Sequence, residues 1–184
     1  MALFKKKESI DFWHQPAPSS DPRVLHQTGI SCIARDDGPG AIQVGWTLWK
    51  RWGIAANQAH DFLQDGYRAW RSSPNFDGGK AWLFLSDLFS DLDATDPAVP
   101  LNIYAAPRDQ IEPLSVYYSI RCWTASELLE LAEAGGRADL ALENSERCYS
   151  AISRTRQDFV PPRSMSWARI YALNHGLPEP WTQP

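Results

Sequence analysis

The chain has 184 residues, of which 43% are hydrophobic and 22% charged, with a formal charge of −4. That balance excludes a disordered polyelectrolyte, and the length is enough to bury a core without disulfide or metal staples. Cys32, Cys122 and Cys148 cannot all pair and show no framework spacing, which suits a reducing compartment and points to the cytoplasm.

The charge is unevenly spread. Residues 1–71 carry 9 basic and 7 acidic side chains, residues 72–146 carry 4 and 13, and residues 147–184 carry 5 and 2. An acidic middle repels phosphate backbones and steers basic partners, so nucleic acid is disfavoured there. The longest apolar runs, such as Ala81–Leu85, fall far short of the ~18–20 residues that cross a bilayer. Lys5, Lys6 and Lys7 are followed by Glu8, Asp11 and His14 in place of an apolar stretch, so no secretory signal is read there and a membrane surface is disfavoured.

In chain order, Pro16, Pro18 and Pro22 with Ser19, Ser20 and Asp21 predict an extended arm over residues 1–27, pinned by Phe12 and Trp13. A single globular domain is expected over 28–184. Thr28–Arg35 and Ala41–Leu48 flank the turn signal Asp36-Asp37-Gly38-Pro39-Gly40. Ile42, Val44, Trp46 and Leu48 alternate with Gln43, Gly45 and Thr47, which predicts a β-hairpin. Ala56, Ala59, Phe62, Leu63, Tyr67 and Trp70 recur at three and four and predict a helix, in which Gly66 marks a close approach. A second helix is expected over Ala81–Leu92.

Leu101–Ala105 and Leu114–Trp123 read as two further strands, the latter rich in β-branched and aromatic residues. Thr124-Ala-Ser-Glu127 matches a capping box and predicts a helix start, with Gly135-Gly136 as its stop. Helices over about Arg137–Gln157 and Ser164–His175 follow, the latter ended by Gly176 and Pro178. The expected fold is therefore α+β: a small antiparallel sheet of about four strands packed with about five helices, the C-terminal part all-helical. Trp167, Ile170, Tyr171 and Ala172 form part of a helical-repeat signature, but no segment repeats it at constant period.

No stretch carries a diagnostic chemical motif. Asp36, Asp37 and their glycines lack the ligand offsets of a calcium loop and the Lys and Ser/Thr of a phosphate loop. Neither Cys-x-x-Cys nor His-x-x-x-His occurs, so neither a metal site nor a cofactor is expected. Arg147, Arg154, Arg156, Arg163 and Arg169 interleave with Tyr149, Phe159 and Trp167, material for nucleic-acid binding that the adjoining acidic block opposes.

What remains is a surface. Asp87, Asp91, Asp93 and Asp96 follow one helix, Glu127 and Glu130 another, and nine tryptophans, with Trp49 and Trp52 closing an apolar run, exceed ordinary usage. These eight residues are the expected contacts to a basic protein partner, since interfaces favour tryptophan and complementary charge. The expectation is a non-enzymatic cytoplasmic protein-binding protein, of the kind of a toxin-neutralising immunity protein or a secretion-type adaptor. The alternatives are an enzyme or toxin whose cleft joins Cys32 to His60 or His175, or pairs two carboxylates, and a structural, self-associating assembly protein of phage type.

Overall fold

The computed structural model describes residues 11–15, 17, 19–52, 58–94, 108–152 and 162–180. After a single 3₁₀ turn at Phe12–His14, these residues form seven α-helices: α1 Pro22–Ala34, α2 Gly38–Trp52, α3 Ala59–Arg71, α4 Gly78–Ala94, α5 Arg108–Ala134, α6 Ala138–Ile152 and α7 Pro162–His175. No strand occurs among the described residues, so the expected α+β fold with its antiparallel sheet is overturned. The chain divides into two compact units, Met1–Phe76 and Asp77–Pro184.

In the first unit the arm gives way to helix earlier than its prolines suggest. Asp21 accepts a hydrogen bond from the Arg23 amide at 2.8 Å and Pro22 occupies the first helical position, where a missing N–H costs nothing. The dense turn signal is only partly a turn: the chain reverses at Arg35–Asp37, and Gly38, Pro39 and Gly40 already belong to α2. Asp36 takes a left-handed φ of 55°, and Asp37 Oδ1 accepts from the Gly40 amide at 3.0 Å, capping α2. The expected hairpin is thus a helical one.

Its alternation misleads because α2 is central, lying against the 3₁₀ turn, α1 and α3. Eight of its 15 residues are buried, including Val44 and Leu48 on one side and Ala41, Gly45 and Trp49 on another. Its polar side is reduced to Gln43, Thr47, Lys50 and Arg51, and Gln43 and Thr47 fall between apolar residues so that a stretch of helix also reads with a period of two.

Glycines let α2 and α3 approach to backbone contact. A Cβ at Gly66 would lie 2.9 Å from both the Ala41 Cβ and the Gly38 carbonyl oxygen, and one at Gly45 would lie 2.9 Å from the Ala59 carbonyl oxygen. A Cβ at Gly38 would collide with the Trp70 amide nitrogen and lie 2.5 Å from the Gly66 carbonyl oxygen. Around this crossing the aromatic rings lock together. Phe12 meets Trp70 edge-on at 5.2 Å, Trp70 meets Phe76 at 5.3 Å, and His14 meets Trp46 at 5.3 Å. Trp13, in the 3₁₀ turn, is fully buried.

In the second unit Asp77 caps α4 by accepting from the Gly79 and Lys80 amides at 2.9 and 3.1 Å. Ala81, Phe84, Leu85, Leu88, Phe89 and Leu92 are all buried, as their spacing predicts. Leu114–Trp123, expected as a strand, lies inside α5. Leu101–Ala105, the other expected strand, falls outside the described residues.

The expected helix start at Thr124 also falls inside α5. Thr124 Oγ1 donates to the Ile120 carbonyl at 2.8 Å and Ser126 Oγ to the Cys122 carbonyl at 2.7 Å. Each hydroxyl is satisfied one turn back in a continuous helix, which removes the capping box. The stop is as expected: Gly136 takes φ 67°, the Arg137 amide donates to the Ala132 carbonyl at 2.8 Å, and the Gly136 amide donates to the Glu133 carbonyl at 3.0 Å. Helix α7 ends the same way at Gly176, with φ 63° and a bond from the Leu177 amide to the Ala172 carbonyl at 2.9 Å. α5, α6 and α7 pack on one another and α4 lies against α5.

The glycine crossing makes a clear prediction. Gly66→Ala lowers stability by about 1–3 kcal/mol, the usual cost of overpacking where backbone must move. Gly78→Ala, whose added Cβ meets nothing within 4 Å, is close to neutral. Urea unfolding midpoints of the two variants check this pair.

Candidate functional site

Two of the expected contact residues, Trp49 and Trp52, lie on α2 of the first unit. Trp49 is 5% exposed and serves the core, whereas Trp52 is 39% exposed at the helix end, with the Arg51 guanidinium 5.9 Å from its ring. The carboxylates belong to the second unit. Asp87 and Asp91 stand one turn apart on α4, and Glu127 and Glu130 three residues apart on α5, all four half-buried. Asp93 is within α4 but its side chain lies outside the description, as does the whole of Asp96.

The structure adds carboxylates that sequence reasoning did not select. On α6, Asp139, Glu143 and Glu146 are exposed. On α5, Glu133 accepts from the Trp167 indole N–H of α7 at 3.2 Å. Arg137 Nη2 sits 2.7 Å from Asp139 Oδ2, and this hydrogen-bonded partner lowers the Asp139 pKa to about 2. Glu143 and Glu146 lie on the solvent side of a helix that buries Ala141, Asn144, Ser145 and Cys148.

Two cations of this unit are drawn inward. Arg121 on α5 is only 6% exposed, its guanidinium 5.5 Å from the Phe89 ring centre, and its Nη2 lies 3.4 Å from Ser150 Oγ. Arg147 on α6 leans over the same ring at 5.3 Å and donates to Asn144 Oδ1 at 2.8 Å. Cation–π contacts of this desolvated kind contribute about 1–2 kcal/mol each. The signal available in the sequence was a lone arginine inside the apolar stretch Val116–Trp123.

The elements of the enzyme alternative are placed otherwise. Cys32 is buried, and burial together with the nearby Asp37 carboxylate pushes its thiol pKa up, away from the thiolate a nucleophile needs. Cys122 is pushed up to about 12 by desolvation, and Cys148 is fully buried. His60 Nε2 pairs with Asp61 Oδ1 at 3.1 Å, while the His26 and His175 rings rest against Phe62 at 5.6 Å and Tyr171 at 4.3 Å. Among the described residues no group of His, Cys, Asp and Glu could hold a metal ion.

Of the C-terminal arginines weighed for nucleic-acid binding, Arg169 is exposed and lies 3.5 Å from Glu179, and Arg147 leans over Phe89. Arg154 and Arg156 lie outside the described residues. An open groove of about 500 Å³ runs along α1 past Arg23, Val24, Gln27, Thr28, Ser31 and Arg35. Among the described residues no helix is long and apolar enough to cross a membrane.

No protein-family model matches the sequence, and neither a curated protein nor a solved structure is significantly similar to it. Nothing in these comparisons supports the immunity-protein and adaptor classes expected above, and both are set aside.

The thiol environment gives a testable consequence. A thiol whose folded pKa is raised stays protonated while its unfolded counterpart ionises near its ordinary value of 9.0. Its contribution to stability is therefore present below pH 9 and is lost as pH rises towards 12. In native protein at pH 8, Cys122 and Cys148 resist a disulfide-exchange reagent and react only after unfolding in urea, read by peptide mass spectrometry.

Proposed function

We propose that this chain is a non-enzymatic cytoplasmic protein-binding protein that takes a basic protein partner on the acidic outer surface of α4, α5 and α6. One observation carries the reading: on α6 the carboxylates face outward, while the two arginines beside Phe89 are drawn inward. Arg121 is buried and Arg147 drawn over Phe89, whereas Glu143 and Glu146 on α6 face solvent and Asp87, Asp91, Glu127 and Glu130 remain half-exposed. The exposed cations among the described residues of this unit are Lys80, Arg137 and Arg169, the latter two beside Asp139 and Glu179.

Such a field raises encounter rates with a basic surface by about 10- to 1,000-fold and acts over roughly 8 Å at physiological ionic strength. It favours association rate more than final affinity. Of the tryptophans first expected to contribute, Trp52 retains an exposed ring and Trp49 does not. The cytoplasmic location is supported by three cysteines held as free thiols, the state of a reducing compartment.

The test is capture from a lysate of the native host on immobilised full-length chain, eluted in salt steps, followed by association kinetics with the captured protein. A basic protein released at moderate salt is expected. The variant Asp91→Asn/Glu143→Gln/Glu146→Gln then associates about tenfold more slowly at low salt, with a flatter salt dependence. Capture of an acidic protein, or unchanged kinetics in the triple variant, overturns the reading.

A further inference from the structure

Beyond the acidic surface, the second unit holds a short proline segment in a way that resembles ligand recognition. After Gly176 the chain runs through Leu177, Pro178, Glu179 and Pro180. The two prolines fix their own φ near −65° and bias Leu177 and Glu179 towards extended backbone, so the segment is stiff and open before it meets anything. It then engages α6 and α7 at separate points. The Tyr149 hydroxyl of α6 donates to the Pro178 carbonyl at 2.9 Å. Glu179 lies 3.5 Å from Arg169 Nε of α7, and Pro180 is buried.

The surface that receives it is aromatic. Tyr149 and Tyr171 are tilted against each other with ring centres 5.5 Å apart, and Tyr171 continues onto His175 at 4.3 Å. A tyrosine hydroxyl donated to a proline-segment carbonyl, beside a row of half-exposed rings, is how extended proline-rich ligands are held in general. Such segments present free carbonyls and have little entropy left to lose.

We propose that the α6–α7 surface around Tyr149, Tyr171 and His175 is a binding site for Pro-acidic-Pro segments, occupied in cis by Pro178–Pro180. The occupant it would exchange for is the same type of segment from a partner protein: two prolines flanking a carboxylate that reaches Arg169. The tethered copy competes at an effective concentration of about millimolar, so it gates the site against weak ligands.

The experiment uses the full-length chain and a fluorescent peptide of residues 177–184, read by anisotropy. Wild type binds this probe weakly, because the tethered segment competes. Pro178→Ala/Pro180→Ala, which loosens the tethered segment, binds it at least tenfold more tightly. Adding Tyr149→Phe to that variant weakens binding about five- to tenfold, and a probe with both prolines replaced by alanine does not bind. Circular dichroism confirms that each variant is folded, and Pro180→Ala alone serves should the double variant unfold. The proposal is overturned if the folded loosened variant binds no better than wild type, or if the alanine probe or the Tyr149→Phe background binds equally well.

Discussion

The first unit depends on one constraint, the backbone contact of α2 with α3. With glycine at positions 38, 45 and 66 the two helices come closer than side chains permit, since a Cβ at any of them would sit at 3.0 Å or less from atoms of the facing helix. Gly66 in mid-helix carries an intrinsic cost of up to about 1 kcal/mol relative to alanine. That cost is offset by the packing it allows, with Trp70 against Phe12 and Phe76, and Trp46 against His14 of the same turn. The tryptophan excess of this part of the chain is therefore mostly core, and an exposed ring such as Trp52 is the exception.

The second unit is organised around polar groups brought inside. Thr124, Ser126 and Asn144 are buried and satisfied by carbonyls one turn back on their own helices, so they fill helix–helix space without exposing an unmet donor. Arg121 and Arg147 share the Phe89 ring, and the Tyr117 hydroxyl donates to the Leu92 carbonyl at the end of α4. With Arg147 leaning over Phe89, the exposed charges of α6 are Asp139, Glu143 and Glu146. The binding function proposed for this unit follows from that sorting and not from any single residue.

The glycines at 136 and 176 end α5 and α7 in the same left-handed geometry but lead to different ends. At Gly136 the chain returns within one residue into α6, setting two helices side by side. At Gly176 it leads instead into a proline segment that cannot form a helix and lies across α6 and α7. One local device therefore builds the helical core in one place and presents an extended strip in the other.

The sequence alone determined what depends on near neighbours. The spacing in Ala59–Trp70 and Ala81–Leu92 and the two glycine stops are set by interactions within a few residues, and all were legible. Tertiary structure decided the rest. Ile42, Val44, Trp46 and Leu48, like Leu114–Trp123, read as strands because β-branched and aromatic residues favour strands when only half-buried. Here they lie within helices α2 and α5, and in α2 the contacts from neighbouring helices outweigh a preference worth about 1 kcal/mol or less. Which charges face outward was equally illegible: Arg121 and Glu143 look alike as charged residues in helical runs, and only the position of Phe89 assigns one to the interior and leaves the other in solvent.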